Sequence, residues 1–195
     1  CESRSAVYPL AATSTAHFLQ GTAKKVRAHA VLALLLGVLV LTFAGCGKDD
    51  RNETTIVAPL SGDQEVPPRQ TGGSGTITVT VDGQDQELSY VLELRGTFTS
   101  AIQQAHIHLG ARGVNGPIFL FLCTNLTPPA GVPTPPACPT GAGTVAGTLT
   151  AANFIPVTGL ASFAAALNSI LAGDTYANVH SVTFPGGEVR GQIVP

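Results

Sequence analysis

The sequence predicts an all-β protein, an antiparallel β-sandwich with one short helix near residues 162–172. Three observations carry this. Apolar and polar residues alternate with period two through several stretches, which gives an extended strand one apolar and one polar face. Glycine, proline and aspartate cluster at short intervals between those stretches, as turns require. Only one stretch places its apolar residues at helical spacing.

The N-terminal third is read separately. Residues 1–23 lack an initiating methionine and are set aside, as an extension upstream of the true start or as the edge of a fragment. In "AKKVRAHAVLALLLGVLVLTFAGC", Lys24, Lys25 and Arg27 precede an uncharged apolar run from Ala30 to Phe43, then small residues and a cysteine. That order predicts a signal peptide over 24–45. The run is shorter than the roughly 20 residues that span a bilayer as a helix. "FAGC" resembles the lipobox of bacterial lipoproteins, with Phe43 where leucine is usual, and this resemblance implies lipidation at Cys46. An ordinary signal peptide cut nearby is the alternative. A multiply acylated Cys46 would anchor the protein to a membrane, each buried CH₂ adding about 0.8 kcal/mol. Gly47 lacks the aspartate that retains some lipoproteins at an inner membrane. The expected location is therefore the cell envelope, at the outer membrane in a Gram-negative cell. Residues 46–55, "CGKDDRNETT", read as a polar tether.

Residues 56–195 suit one domain. From Cys46 onward there are six lysines and arginines and eleven aspartates and glutamates, a formal charge of −5. So acidic a chain, with scattered cations, has no phosphate-binding footprint and excludes nucleic acid as a partner. Cys123 and Cys138 flank the proline-rich "TNLTPPAGVPTPPA". In an exported chain this even pair reads as a disulfide, and a dithiol metal or redox site is the minor alternative.

The strands follow in order. "SGTITVTV" sets Ile77, Val79 and Val81 against Thr76, Thr78 and Thr80. After the turn "DGQDQ", "ELSYVLELRG" places Leu88, Tyr90, Leu92 and Leu94 on one face, which completes a hairpin. "QAHIHLG" sets Ala105, Ile107 and Leu109 against His106 and His108. "GARGVNGP" is a loop, and "IFLFLC" over 118–123 reads as a strand buried on both faces. "GAGTVAGTLT" is a strand of small residues. In "SFAAALNSILAG", Phe163, Leu167, Ile170 and Leu171 form the helical stripe, with Ser162 to cap it and Gly173 to end it. "TYANVHSVTF" and "EVRGQIV" pair around "PGG". Strand order is not legible, so the sandwich is left as Greek-key/immunoglobulin-like or superoxide-dismutase-like.

Three blocks carry a resemblance: "LSGDQEVPPRQTGGSGTITV", "AHIHLGARGVNGPIFLFL" and "GDTYANVHSVTFPGGEVRGQI". In that order they closely resemble the CHRD domain, named for chordin and found singly in many bacterial exported proteins. Ala177 and Ser181 are mild departures from the family's pattern around His180. The resemblance implies an extracytoplasmic sandwich-like module. Chordin's growth-factor binding does not transfer to this chain.

Two constellations stand out within these blocks. Residues i and i+2 of a strand share a face, so His106 and His108 point the same way with Cβ atoms about 6.5–7 Å apart. His180 is the only other histidine after residue 46. Should its strand lie beside theirs, three imidazoles would suit copper or zinc. Neutral histidines bonded to backbone or carboxylate, serving as polar ties, are the competing reading. A dismutase of the copper/zinc type needs further histidines that this chain lacks. In "GEVRGQ", Glu188, Arg190 and Gln192 share a face, and Arg190 can pair a carboxylate such as Glu65. A structural ion pair is the favoured reading, and a polar pocket for a carboxylate-bearing ligand is the other. No nucleophile or phosphate-loop motif is present. The functional expectation is a non-enzymatic, lipid-anchored module that binds a protein or surface ligand. The alternative is a copper- or zinc-binding metalloprotein.

Overall fold

The alternating stretches pair as a sheet because each has one face to hide and a full set of backbone donors and acceptors to satisfy. In a computed structural model, residues 53–84 and 86–195 are described. The extension 1–23, the signal segment 24–45, Cys46 and the tether as far as residue 52 lie outside them. The strands are β1 (Glu53–Ser61), β2 (Gly72–Asp82), β3 (Glu87–Thr97), β4 (Ile102–Leu109), β5 (Ile118–Thr124), β6 (Gly143–Leu149), β7 (Thr175–Ser181) and β8 (Val189–Ile193), with one helix, α1 (Phe163–Ala172). β1 begins at Glu53, so residues 53–55, expected to be tether, belong to the sheet.

The strands form one antiparallel sheet in the order β5-β4-β7-β8-β1-β2-β3-β6. Its halves join through β1 and β8, whose ladder has a single pair, Ser61 with Arg190. There the sheet folds over, and its two end strands, β5 and β6, come into contact. Tyr90 of β3 reaches across the interior and donates to Leu122 O of β5 at 2.5 Å. The result is a nearly closed sheet, between sandwich and barrel. The core lies inside it, with Ile77, Val79, Leu88 and Leu92 from one half and Ile107, Val179, Val189 and Ile193 from the other.

The helix runs as read: Ser162 Oγ accepts from Ala165 N at 3.2 Å, and Gly173 ends it with φ +80°. Phe163, Ala166, Leu167 and Ile170 are its buried face. "IFLFLC" is a strand with Phe119, Leu120, Leu122 and Cys123 buried, and it stands at one end of the sheet. Its pairing with β4 is irregular between Ala105 and His106 and again between Ile107 and His108. Each irregularity adds a residue on β5 and resets the alternation. That is how the neighbours Phe119 and Leu120, and Leu122 and Cys123, are all fully buried. The disulfide Cys123–Cys138 closes the loop that follows, with Cα atoms 5.0 Å apart.

Candidate metal centre

β4 is paired on one side by β7, and this adjacency assembles the site. In their register Gln104 lies opposite His180, His106 opposite Asn178 and His108 opposite Tyr176. β8 continues the rows, with Arg190 opposite Asn178 and Gln192 opposite Tyr176. All these side chains leave the same face of the sheet, the one turned away from the core. His180 is thus the diagonal neighbour of His106, within reach of its ring.

The three histidines that the spacing singled out do come together. One nitrogen from each lies within 4.8 Å of the other two, and all three residues are buried. Ring centroids are 4.7 Å apart for His106 and His180, 5.7 Å for His106 and His108, and 6.2 Å for His108 and His180. Phe121 of β5 sets its ring edge-on to His106 at 4.3 Å, and Tyr176 stacks on His108 at 4.7 Å.

The hydrogen bonds fix what the rings can offer. His108 Nδ1 lies 2.9 Å from Gly116 O, and His180 Nδ1 lies 2.9 Å from Pro185 O. A carbonyl oxygen only accepts, so in each neutral ring Nδ1 carries the proton and Nε2 a lone pair. His106 Nδ1 is 3.0 Å from His180 Nε2 and must donate to it. Every imidazole N–H is then spent. His106 Nε2 and His108 Nε2 are buried with no hydrogen-bond partner. His180 Nε2 also faces Asn178 Oδ1 at 2.9 Å, one acceptor against another. Two partnerless Nε2 lone pairs beside a third imidazole nitrogen fit a cation. Carbonyl-bonded Nδ1 atoms are also the usual outer support of histidine ligands, fixing tautomer and ring direction.

Burial and mutual repulsion keep the rings neutral. Burial pushes His106 down to about 2, with further lowering from His180 and His108. It pushes His108 down to about 4, against the opposing bond to Gly116. His180 is lowered by burial too, partly offset by its bond to Pro185. Neutral imidazole is the form that ligates metal.

The loop 110–117 lies over these rows and is tied down by them. Arg190 donates to Asn115 Oδ1 (3.0 Å), Ala111 O (3.2 Å) and Val114 O (2.8 Å), and its guanidinium sits 3.3 Å from the centre of the Tyr176 ring. Gln192 Nε2 donates to Gly110 O and Gly173 O, both at 3.0 Å. Tyr176 Oη accepts from Gly116 N at 3.1 Å. Gly116 has to be glycine, since a Cβ there would collide with Leu109 O.

The expected ion pair of Arg190, Glu188 and Glu65 is not formed. Among the described residues, Arg190 hydrogen-bonds loop acceptors instead of either glutamate. Glu188 turns the other way and accepts from Thr71 Oγ1 (2.5 Å), Thr99 N (2.8 Å) and Thr99 Oγ1 (2.9 Å). Burial would raise its pKa, but these bonds and one with Ser181 hold it below the usual carboxylate value. The reason is local: two hydroxyls and an amide satisfy a buried carboxylate without desolvating a second charge. Glu65, 4% exposed, is pushed up to about 7 by burial, against the opposing influence of Arg190, the Val66 amide, Arg69 and Asn178.

Asn178 is the residue that the sequence reading missed. It precedes His180 by two, so the N-x-H of "NVH" puts both on one face by the same rule that paired His106 with His108. Beside the centre opens a cleft of about 220 Å³ lined by Asp63, Gln64, Glu65, Val66, Arg112, Gly113, Arg190 and Gln192. None of the three histidines lines it.

No curated protein and no solved structure matches the chain. The sequence model of the CHRD domain matches residues 56–193, most of the chain and all three histidines of the centre. The chain belongs to the CHRD domain family.

Proposed function

We propose that this CHRD domain is a metal-holding module of the bacterial cell envelope, lipid-anchored at Cys46, with copper or zinc bound by His106, His108 and His180. One observation carries the metal: three buried imidazoles each place a nitrogen within 4.8 Å of the other two, and Nε2 of both His106 and His108 has no hydrogen-bond partner. Nitrogens bound tetrahedrally at about 2.0–2.1 Å lie about 3.4 Å apart, so small ring adjustments close the set. Imidazole ligands suit both metals.

The role is holding rather than catalysis. The centre sits under Phe121, Tyr176 and the loop 110–117, and the neighbouring cleft is lined by other residues. A partner protein or surface ligand is the remaining part of this reading, recognised while the lipid keeps the domain at the membrane. The signal and lipobox layout of residues 24–46 supports export and anchoring.

Elemental analysis of the chain purified after export tests the metal. Near-stoichiometric copper or zinc, lost in His106→Ala, is expected. Sub-stoichiometric metal that His106→Ala leaves unchanged would sink the reading. Labelling with a radioactive fatty acid tests the anchor, and label retained in Cys46→Ser would exclude it.

A further inference from the structure

We propose that Glu65 is the charge-compensating partner of the three-histidine centre, a positioning residue that acts through the Asn178 amide and releases its proton to solvent when a metal binds. The inference rests on the metal reading above.

Asn178 stands between two groups. Its Oδ1 faces His180 Nε2 at 2.9 Å, and its Nδ2 lies on the side of Glu65, whose Oε1 is buried without a completed hydrogen bond. Gly187, at φ +121°, packs over both: a Cβ there would lie 2.5 Å from Glu65 Oε1 and 2.8 Å from Asn178 Nδ2. The amide has two orientations, and each suits one state of Glu65. With Glu65 ionised, Nδ2 belongs towards the carboxylate. Oδ1 then confronts the His180 lone pair, an arrangement that a bound cation relieves. With Glu65 protonated, the amide turns over: the carboxyl O–H donates to Oδ1, and Nδ2 donates to His180 Nε2. The second arrangement removes the clash of two acceptors at Asn178 and His180 without a metal.

The balance is simple. A divalent ion binds, the Glu65 carboxyl loses one proton, and no covalent bond changes besides that O–H. The proton leaves through the cleft of about 220 Å³ that Glu65 lines. A buried carboxylate near the ion offsets its charge. The other charged groups facing Glu65 are Arg190 and Arg69, which favour its ionised form, and Asp63 and Arg112 on the cleft wall. The value of about 7 for Glu65 places its proton where physiological pH can take it.

The test uses the full chain and Zn²⁺ alone, titrated calorimetrically in buffers of different ionisation enthalpy. At pH 7 the wild type releases about half a proton more than Glu65→Gln. Its apparent affinity falls about tenfold more than that of Glu65→Gln between pH 8 and pH 6. Taking the difference removes any contribution common to both proteins, the histidines included. If Glu65→Gln does not fold, the ¹³Cδ resonance of Glu65 in the wild type gives the answer: at pH 6, zinc moves it to the ionised position. Equal proton counts, or an unmoved resonance while zinc binds, would overturn the role of Glu65 and leave the metal site standing. Failure of both zinc and copper to bind overturns both readings.

Discussion

The two outer faces of the sheet are written in the same period-two code and end in opposite environments. On the half formed by β1, β2, β3 and β6, the outward residues are hydroxyl-rich: Thr55, Thr76, Thr78, Thr80, Ser89 and Thr148. They are exposed or half-buried, and pairs such as Thr55 with Thr80 (2.9 Å) bond across strands. On β4, β7 and β8, the outward residues His106, His108, Tyr176, Asn178, His180, Arg190 and Gln192 are buried, and Gln104 is half-buried. The loop 110–117 and the segments around Glu65 and Pro185 cover them. A hydroxyl left in water costs nothing to satisfy, whereas a buried polar group without a partner costs about 1–3 kcal/mol. The covered face therefore needs a dense bonding network, and among the atoms that it leaves unsatisfied are Nε2 of His106 and of His108, which mark the site.

The largest effect should come from removing the tie that holds the cover. Arg190 is 1% exposed and bonds three acceptors in the loop 111–115. Arg190→Met leaves those acceptors orphaned and is expected to cost about 3–5 kcal/mol in urea unfolding. Lysine cannot span three acceptors with one ammonium and should recover little of that. A loss below about 1 kcal/mol would mean that the loop is held by something else and that the two faces differ less than their bonding suggests.

Much of this was legible in the residues. The alternation in "SGTITVTV", "ELSYVLELRG" and "QAHIHLG" gave the strands and their faces, and Ser162 and Gly173 bounded the helix. The joint nature of the centre was not legible. His106 and His180 are 74 residues apart. Only the pairing of β4 with β7 joins them, and pairing is a relation between strands that no single strand encodes. The position of "IFLFLC" at the end of the sheet was not legible for the same reason, because its continuous burial comes with an irregular pairing with β4 that the strand alone does not show. The partner of Arg190 was out of reach too. Charge pointed to Glu65 or Glu188, but the acceptors used are backbone carbonyls and an asparagine, which composition does not flag.

A pH titration separates the two faces further, because all the strongly shifted groups tied to the centre lie on the covered side. Glu65 has its folded value raised from 4.5 to about 7. The native state therefore holds its proton more tightly, and its contribution to stability fades as pH rises from about 4.5 to 7. The metal-free histidines act the other way. With His108 lowered to about 4 and His106 to about 2, their contribution is complete above pH 6.5 and lost as pH falls below it. The Glu65 part is isolated by comparison with Glu65→Gln. Relative to the wild type, that variant should gain about 2–3 kcal/mol between pH 5 and pH 8. A difference that does not change with pH would show that Glu65 titrates normally.

The smallest effect belongs to the open face and completes the contrast. Thr78 sits mid-strand on β2, opposite Val57 on β1 and Val91 on β3, both exposed. Its hydroxyl has water for a partner, so Thr78→Val removes no obligatory bond. It keeps the branched Cβ that a pleated strand favours and extends an apolar contact with its two neighbours. Unfolding free energy should stay within about 0.5 kcal/mol of the wild type, and zinc affinity should not change. The same substitution in spirit on the covered face, Asn178→Leu, removes the amide between Glu65 and His180 and should abolish the coupling between them. If Thr78→Val instead cost several kcal/mol, the hydroxyl face would itself be a bonded network, and burial would cease to be what distinguishes the two halves.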